Sequence, residues 1–523
     1  MAISARPAER LALRALNVAD GAAARLYGSR WNPLHQSGAI AVALLGVLIV
    51  TGLWLLLFYR VGAPYDSVAR ITADPWVGRW TRGVHRFASD WVIVAVAVHG
   101  LRMFAQARSW GPRVIAWVSG VFLVALLYLC GLTGYVMVWD AFGYQVAHEG
   151  ARLLDSLPIL SEPISRAFAG DESLLGPFFF LNLFAHIAIP LGMGLLFWLH
   201  VSRLARPTMF PPRRVTIVIV GLLVGAAVLW PLGMQPEANP FRLPASVETD
   251  IFYGFWLPLT TRLPAGVALT LLAASGAALT LVPMLTRRRG TAVPPPSVVD
   301  ESVCTGCTQC AIDCPFDAIT MIPREPAGRS LEMARVDPDR CVSCGICAGS
   351  CAPMAVGPAG RTGRDQLAEI RAFLAEGQVP RGAPVVVCCA RSARGWGAQL
   401  EARGATLHPV DCAGSVHTSV IEFLVRGGAG GVLVLTCPPR DCWNREGPTW
   451  VVERMYHDRE AELKPRVDRR RVGVADAGAT DPAAAIAAFE QFAARLAALD
   501  DAPVEVVVEI EMECEPVPAQ EDA

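Results

Sequence analysis

Six long apolar runs in the first half of the chain constrain its fold more than any other feature. They lie at residues 38–59, 87–104, 114–138, 178–199, 215–234 and 264–285. Each is close to the ~20 residues that an α-helix needs to cross a bilayer. With 523 residues, 53% of them hydrophobic, the chain is too long for one domain and too apolar for one water-soluble globule. The sequence therefore predicts an all-α transmembrane helix bundle of six helices within residues 31–290.

Arginine-rich stretches indicate how these helices are oriented. They follow the second, fourth and sixth runs, at residues 102–113, 203–214 and 287–289. Cytoplasmic loops are enriched in Lys and Arg, so we expect a multi-pass protein of the cell inner (cytoplasmic) membrane with both termini cytoplasmic. Residues 1–30 have no apolar core long enough for secretion or spanning, which indicates a cytoplasmic N-terminal segment. The formal net charge of −1 and the scattered arginines exclude nucleic acid as a partner.

Four histidines recur at one spacing in the second and fourth runs. His85 and His99 are 14 residues apart, and so are His186 and His200. This is close to four helical turns, so each pair lies on one helix face, about 21 Å apart along the axis. Histidine in hydrocarbon is costly without a partner. Two helices that run in the same direction can pair His85 with His186 near one surface. The same helices pair His99 with His200 near the other, which predicts two stacked bis-histidine haem sites.

The alternative is that each histidine caps a helix or lines a polar cavity. Four glycines at the same spacing favour haem. Gly38 and Gly52 on the first helix are 14 residues apart, as are Gly120 and Gly134 on the third. Glycine admits close approach of a flat ring to the backbone, so these positions are predicted to face the haems.

Residues from about 30 to 285 resemble cytochrome b of the respiratory and photosynthetic bc-type complexes. The matching stretches are "TGLWLLLFY", "LTGYVMVWDAFGY" and "LDSLPILSEPISRAFAGDES". The resemblance implies a quinone-reactive protein with two b-type haems, with quinone as the substrate, and a homodimer of the kind that bc-type complexes form. It also implies that His85 and His186 hold the outer haem. His99 and His200 would hold the inner one.

The outer quinol site of that family carries a Pro-Glu-Trp-Tyr signature, from which this chain departs. The corresponding stretch reads "TDIFYGFW", so Asp250 stands where the glutamate would be. Asp250 is the candidate catalytic residue, as acceptor of a quinol proton. The departure speaks against ordinary quinol bifurcation, and a surface carboxylate in a loop is the alternative.

Three arginines flank the histidines, at positions 82, 86 and 102. They are candidates for pairing with haem propionates, or for interface arginines that extend their side chains to water. Cys130 is the only cysteine in the predicted spans, and we expect it to be a core residue.

Cysteines crowd the second half of the chain, where thirteen of the fifteen fall between residues 304 and 442. After a proline-rich connector, "CTGCTQCAIDCP" and "CVSCGICAGSCAP" show the bacterial spacing in which the fourth cysteine of each motif reaches the other cluster. Zinc favours a single four-cysteine site, and disulfides are rare in a reducing cytoplasm.

Residues 297–356 resemble two-cluster bacterial ferredoxins, which implies two 4Fe-4S clusters. By this resemblance one cluster is bound by Cys304, Cys307, Cys310 and Cys351. The other is bound by Cys314, Cys341, Cys344 and Cys347.

Residues 380–498 alternate apolar runs such as "PVVVCC" and "GVLVLTC" with helical stretches, which is typical of a small α/β domain with a parallel sheet. Five cysteines follow its strands: Cys388, Cys389, Cys412, Cys437 and Cys442. The carboxyl ends of parallel strands share one rim, so we expect these thiols to converge there. Four thiolates suffice for a 2Fe-2S cluster, and buried structural thiols are the alternative.

Residues from about 384 to 480 resemble the delta subunit of methyl-viologen-reducing hydrogenase, an iron–sulfur adaptor that links a hydrogenase to heterodisulfide reductase. The matching stretches are "VCCARS", "DCAGSV" and "TCPPRDCW". The resemblance implies docking to a flavoprotein. Ser392 stands where the family has a further cysteine, so the choice of four ligands among the five thiols stays open. The acidic tail at residues 499–523 is expected to be an edge strand or disordered.

These modules together predict a membrane-anchored respiratory electron-transfer subunit between the quinone pool and a cytoplasmic flavin-containing, heterodisulfide-reductase-like oxidoreductase. One alternative is the cytochrome b core of a bc-type complex with external Rieske and c-type cytochrome partners. Another is a membrane redox sensor. "GGAGG" at residues 427–431 follows a helix and precedes a strand, the reverse of the order in a dinucleotide-binding fingerprint.

Overall fold

The computed structural model describes residues 7–106, 108–109, 113–159, 163–165, 176–202, 206–239, 248, 250–286, 294–324, 330–457 and 459–500. The arginine run at 287–289 and residues 501–523 of the acidic tail lie outside this range. Three parts follow one another along the chain: a helical membrane domain, a ferredoxin domain with short strand pairs, and a C-terminal domain with a parallel sheet. The predicted fold class is therefore confirmed.

In the described part of the chain, ten α-helices form the membrane domain. They are α1 (Pro7–Tyr27), α2 (Ser37–Leu56), α3 (Pro64–Ala73), α4 (Gly78–Ala105), α5 (Val114–Val138), α6 (Ala141–Asp155), α7 (Gly176–Val201), α8 (Arg213–Leu229), α9 (Leu257–Thr260) and α10 (Ala265–Thr286). Among the described residues, α2 with its preceding turn, α4, α5, α7 and α10 are long and apolar enough to cross a membrane.

The structure thus has five such helices where the sequence predicts six. The run at 215–234 forms α8, which has 17 residues and ends at Leu229. At ~1.5 Å per residue this helix is about 25 Å long, shorter than the ~30 Å hydrocarbon core. Pro231 explains the early end, because the residue before a proline is disfavoured in helical conformation.

Two helix pairs form the centre of the bundle. Helix α2 packs along α4, and α5 packs along α7. Their shared core includes Leu44, Val92, Leu127 and Met193, with α8 packed on the outer side of α4. The second and fourth predicted spans, which carry the four histidines, therefore lie in separate pairs that face each other.

The ferredoxin domain consists of two antiparallel strand pairs and short helices. Strand β1 (Ser297–Val299) pairs with β4 (Val356–Pro358), and β2 (Ile319–Pro323) pairs with β3 (Glu332–Val336). Its helices are α11 (Gln309–Ile312) and α12 (Ile346–Ser350). Helix α13 (Gly363–Ala375) then leads to the last domain, and it begins with a capping box between Thr362 and Asp365.

The C-terminal domain is a four-stranded parallel sheet between two layers of helices. The strand order is β6 (Thr406–Val410), β5 (Pro384–Cys389), β7 (Gly431–Thr436) and β8 (Val472–Asp476). The helices are α14 (Ala390–Glu401), α15 (Thr418–Arg426), α16 (Gly447–Tyr456) and α17 (Pro482–Asp500). The continuous apolar runs of β5 and β7 are explained by burial on both faces, as in other parallel sheets.

Candidate redox centres

A large cavity runs through the bundle between the two helix pairs, and all four predicted histidines line it. Its volume is about 2090 Å³. Pockets for one small molecule are typically about 300–1,000 Å³, so this cavity has room for more than one ligand. Its two ends are called here the His85 end and the His99 end.

His99 on α4 and His200 on α7 face each other across the cavity. Their ring centres are 6.4 Å apart and their planes are inclined by 64°. Two imidazoles that each bind one metal ion through a bond of about 2 Å have ring centres up to about 6 Å apart, since each nitrogen lies roughly 1 Å from its ring centre. The separation of His99 and His200 fits this value, so these two residues would together hold a haem iron.

The other two histidines line the same cavity, and groups on neighbouring helices fix the orientation of their rings. His186 Nδ1 donates to the carbonyl of Cys130 at 2.9 Å. His85 Nδ1 lies 2.8 Å from the hydroxyl of Thr51. Metal-binding histidines typically use one ring nitrogen for such an anchoring bond and the other for the metal. The bond from His186 Nδ1 therefore leaves Nε2 as the nitrogen with a free lone pair.

Each predicted glycine lies against a histidine ring. A Cβ at Gly38 would lie 3.0 Å from the His99 ring, and one at Gly120 would lie 3.1 Å from the His200 ring. A Cβ at Gly52 would lie 3.2 Å from His85, and one at Gly134 would lie 3.0 Å from His186. All four glycines line the cavity, and the nearest neighbour of each is the imidazole of a predicted haem ligand. Because glycine has no side chain, each imidazole can pack against the backbone of the neighbouring helix.

Asp250 lies at the His85 end of the cavity. Its carboxylate accepts hydrogen bonds from the Arg86 guanidinium and the Tyr135 hydroxyl. The backbone N–H of Tyr253 donates to it at 2.9 Å. Arg86 also forms an ion pair with Asp90. The candidate proton acceptor is therefore a largely buried carboxylate with a phenol and a guanidinium as partners, rather than a surface carboxylate.

The other two flanking arginines also contact protein groups. Arg82 donates to the hydroxyl of Thr72 at 3.0 Å and to the carbonyl of Gly233 at 3.2 Å. Arg102 pairs with two aspartates, as described below. Cys130 differs from expectation, because it lines the cavity and its Sγ lies 3.6 Å from His186 Nδ1.

Arg102 joins three parts of the chain at the His99 end. It lies at the end of α4, three residues after His99, and is buried. Its guanidinium donates to Asp20 of α1 at 2.8 and 2.9 Å. It also donates to Asp441 of the C-terminal domain at 2.5 Å. The cysteine-bearing loop after β7 therefore docks directly on the membrane domain.

Trp443, the residue after Cys442, fills this junction. Guanidinium groups lie over its ring at 3.4 Å for Arg391, 4.6 Å for Arg108 and 5.1 Å for Arg113. Arg108 also donates to the carbonyl of Cys442 at 3.1 Å. Burial lowers the pKa of Arg108 to about 9 and that of Arg113 to about 10, so both stay cationic at neutral pH. In the sequence, the only indication of this contact is an aromatic residue directly after a cysteine.

The ferredoxin cysteines group as the crossed pattern predicts. One small cavity is lined by the first ferredoxin set, Cys304, Cys307, Cys310 and Cys351. The second ferredoxin set is Cys314, Cys341, Cys344 and Cys347, whose thiols interact electrostatically with one another. Backbone N–H groups donate to Cys351 Sγ at 3.2 Å and to Cys314 Sγ at 3.3 Å. Such bonds stabilise sulfur ligands that carry negative charge.

Four of the five C-terminal thiols form a closed ring at the carboxyl edge of the sheet. The Cys389 and Cys442 thiols each lie within hydrogen-bonding reach of both Cys412 and Cys437. Hydrogen bonds donated by Cys389 and Cys442 hold the pKa of the Cys412 and Cys437 thiols well below their usual range. We call Cys389, Cys412, Cys437 and Cys442 the C-terminal set. Ser392, which replaces the family's further cysteine, lies 3.5 Å from Cys437 Sγ.

Cys388 is not part of this ring. It packs in the core on the opposite face of the sheet, with Trp396 and Leu400. The prediction that all five thiols converge is therefore wrong for this residue, because consecutive residues of a strand point to opposite faces. Among the residues that the structure describes, no group of three or more His, Cys, Asp or Glu is arranged to hold a single metal ion. The case for clusters rests on motif spacing and on the grouping of the thiols.

Comparison with known proteins gives three family matches in chain order. Residues 25–207 match the model of cytochrome b/b6/petB, and this range includes all four histidines. Residues 303–355 match the 4Fe-4S dicluster domain. Residues 389–500 match the methyl-viologen-reducing hydrogenase delta subunit. All three predicted resemblances are confirmed. Cytochrome b implies haem, and the 4Fe-4S domain implies iron–sulfur clusters.

Two individual proteins are similar to part of this chain. The menaquinol:cytochrome c reductase cytochrome b subunit of Geobacillus thermodenitrificans is 26% identical in an alignment of 186 residues that covers 33% of this chain and 83% of that protein. A solved structure titled "Hyperthermophilic respiratory Complex III" is 18% identical with a TM-score of 0.38, covering 48% of this chain and 75% of that chain. The chain is a multi-pass membrane electron-transfer subunit that joins a cytochrome b-like bundle to a 4Fe-4S dicluster domain and a hydrogenase delta-subunit-like domain.

Proposed function

We propose that this subunit carries electrons between the quinone/quinol pool and a cytoplasmic flavin-containing, iron–sulfur oxidoreductase of the heterodisulfide-reductase type. The observation that carries the proposal is the ion pair between Arg102 and Asp441 at 2.5 Å. It joins the end of the helix that bears His99 to the loop that bears Cys442. The proposed haem sites and the proposed cluster sites thus lie in parts of the chain that are in direct contact.

The proposed cofactors follow from the groups that converge. His85 and His186 would hold one b-type haem, and His99 and His200 a second. The two ferredoxin sets would each hold a 4Fe-4S cluster, and the C-terminal set a 2Fe-2S cluster. When bound, such groups accept and release single electrons.

The chain's own residues prepare these sites. The bond from His186 Nδ1 to the Cys130 carbonyl holds the ring so that Nε2 is available as a ligand. The Thr51 hydroxyl, 2.8 Å from His85 Nδ1, has the same orienting role on α2. Apolar side chains of the bundle exclude water from the rest of the cavity, which strengthens electrostatic interactions inside it.

Asp250 is the proposed acceptor of a proton from quinol at the His85 end. Its Oδ2 accepts from the Tyr135 hydroxyl and the Arg86 guanidinium. A proton that reaches this carboxylate weakens its ion pair with Arg86, and that guanidinium keeps Asp90 as a partner. Proton uptake at Asp250 therefore does not leave a buried cation unpaired.

Arg102 contacts both Asp20 and Asp441, which supports placing the N-terminal helix and the C-terminal domain on the same side of the membrane. Arginines 108 and 113 lie at the same end, and excess Arg is typical of cytoplasmic loops. We therefore propose an inner-membrane protein with both termini in the cytoplasm. A homodimer is proposed on the resemblance to bc-type complexes.

The name of the Geobacillus relative favours a second function, the quinol-oxidising cytochrome b core of a bc-type complex with Rieske and c-type cytochrome partners. In this chain the Asp250 stretch departs from the family signature, and the soluble part fills the His99 end of the bundle. The two functions predict different companions.

Purification of the tagged protein from native membranes tests the proposal. We expect a flavoprotein among the companion subunits, and b-haem bands in reduced-minus-oxidised spectra after addition of quinol. Co-purification of a c-type cytochrome and a Rieske protein without a flavoprotein would support the second function. Absence of b-haem absorbance would contradict both.

A further inference from the structure

Arg454 is a fully buried cation at the seam between the ferredoxin domain and the C-terminal domain. The residue lies on α16 and is 1% exposed. Its Nε donates to the carbonyl of Trp450 at 2.9 Å, and its Nη1 donates to the carbonyl of Ile346 at 3.4 Å. Its Nη2 donates to the carbonyl of Gly414. One guanidinium thus contacts the backbone of both domains.

The backbone groups that it contacts adjoin two cysteine sets. Ile346 directly precedes Cys347 of the second ferredoxin set. Gly414 lies two residues after Cys412 of the C-terminal set. The backbones beside these two sets are in contact, because a Cβ at Gly345, the residue after Cys344, would lie 3.0 Å from Ser415, three residues after Cys412. Arg454 therefore lies where the two thiol sets meet.

No carboxylate forms an ion pair with Arg454 among the described residues. The nearby Asp313 pairs instead with Arg459, and it accepts from the Ser350 hydroxyl at 2.5 Å. That hydroxyl lies 3.5 Å from Arg454 Nη1 and separates the two groups. His417, also at this seam, is neutral, because its Nε2 donates to the Cys351 carbonyl and its Nδ1 accepts from the Ser419 N–H.

The Asp313 carboxylate interacts with Arg454 but forms its ion pair with Arg459, so one carboxylate faces two guanidinium groups at this seam. A buried cation without a full counter-charge is costly. The other groups near Arg454 that can carry negative charge are the sulfurs of the two sets, which are anionic when they ligate iron. Iron–sulfur clusters held by thiolates carry net negative charge, and net charge is one of the factors that set their reduction potential. Charges in a poorly hydrated interior interact more strongly than charges in water.

We propose that Arg454 is the shared counter-ion of the C-terminal set and the second ferredoxin set, and that it raises the reduction potential of both clusters. The inference rests on the proposed binding of clusters by these cysteines. Reduction adds one electron and hence one negative charge to a cluster, and a fixed cation nearby stabilises that reduced form. Arg454 thus acts as a positioning residue that holds a positive charge near both clusters, and it does not ligate iron.

Redox-poised EPR on the purified full-length protein tests this role, with dithionite as reductant. We expect Arg454→Met, which keeps the aliphatic stem and removes the charge, to lower the midpoint potentials of two cluster signals. Arg454→Lys keeps the charge and should titrate close to the unaltered protein. Arg403→Met is the matched control, because it removes an exposed arginine of the same domain whose partner is Glu490.

The outcomes separate the inference from the function on which it rests. If the unaltered protein contains no iron–sulfur signals, the proposed function fails. Unchanged potentials in Arg454→Met, with signals present, would overturn the counter-ion role alone. Should Arg454→Met not assemble its clusters, Arg454→Gln decides, because it removes the charge and keeps N–H donors for the backbone carbonyls. Lowered potentials in that variant would support the counter-ion role, and unchanged potentials would overturn it.

Discussion

Cys388 and Cys389 are adjacent in the chain but lie on opposite faces of the same sheet. Only Cys389 belongs to the ring of four thiols, and Cys388 packs among apolar side chains. We therefore expect Cys389→Ala to abolish the 2Fe-2S signal of the C-terminal domain. Cys388→Ala should keep that signal and its iron content. EPR and iron analysis of the two variants measure this difference, and loss of the signal in Cys388→Ala would contradict the assignment.

His99→Leu removes one of the two imidazoles that face each other at 6.4 Å. Because a bis-histidine haem needs both ligands, we expect about half of the b-haem absorbance to disappear. His148→Leu is the control, since that histidine lies on α6, outside the lining of the cavity. The measurement is the reduced-minus-oxidised spectrum. Retention of both haem signals in His99→Leu would refute the ligand assignment.

A side chain at Gly134 must displace His186, because a Cβ there would lie 3.0 Å from its ring. Gly134→Val should therefore lose the haem at the His85 end, and Gly134→Ala should retain it with reduced occupancy. A Cβ at Gly192 on α7 meets no atom within 4 Å, so Gly192→Val should leave both haems in place. Haem content per protein separates the three variants. Equal content in Gly134→Val and Gly192→Val would contradict the packing argument.

Asp441→Asn weakens the contact between the membrane domain and the C-terminal domain. A hydrogen bond to a charged group contributes about 1.5–3 kcal/mol, and Arg102 keeps Asp20 as a partner, so we expect partial loosening. Hydrogen exchange should become faster at residues 108–109 and around Trp443. The control is Asp468→Asn, which removes an exposed ion pair with Arg470 in the same domain. Equal exchange in both variants would mean that Asp441 does not hold the contact.

His408 on β6 makes the C-terminal domain sensitive to pH. The residue is buried beside the Phe373 ring, at 5.1 Å between centres, and burial lowers its pKa. The unfolded state therefore binds a proton more readily, so stability falls as pH drops below the ordinary pKa of about 6.5. One such group contributes at most about 1.4 kcal/mol per pH unit.

Hydrogen exchange of β6 at pH 7.5 and pH 5.5 measures this effect. We expect faster exchange at the lower pH, after correction for the intrinsic rate. His408→Gln cannot titrate and should show a smaller pH dependence, while His417 of the same domain, whose pKa burial lowers to about 4, contributes the rest. If the variant responds to pH as strongly as the unaltered protein, another group is responsible.

The periodic features of the sequence are enough to predict that the four histidines share one cavity. In each helix the two histidines are 14 residues apart, which is about four turns, so both lie on the same helix face and His99 and His200 reach the same cavity. The same 14-residue spacing identifies the four glycines that lie against the histidine rings. The hydropathy of residues 215–234 predicts a longer helix than the one observed, because hydropathy does not take account of the effect of Pro231 on helix length.

Contacts between domains could not be predicted in the same way. Arg454 looks like an ordinary charged residue of a surface helix, and only the packing of two domains buries it. Asp441 and Trp443 stand in a stretch that matches the hydrogenase family, but nothing in their spacing points to Arg102 or Arg108. Such contacts depend on how domains dock, and no sequence period encodes that arrangement.

The position of Trp443 has a practical consequence for anyone who wishes to isolate the soluble half of this protein. A fragment that begins near residue 294 would leave Asp441 without its guanidinium and expose the indole to water. Such a fragment would present a newly exposed apolar surface and an unpaired carboxylate close to Cys442. Spectra recorded on it would describe a different environment, so the metal centres are best characterised in the undivided polypeptide.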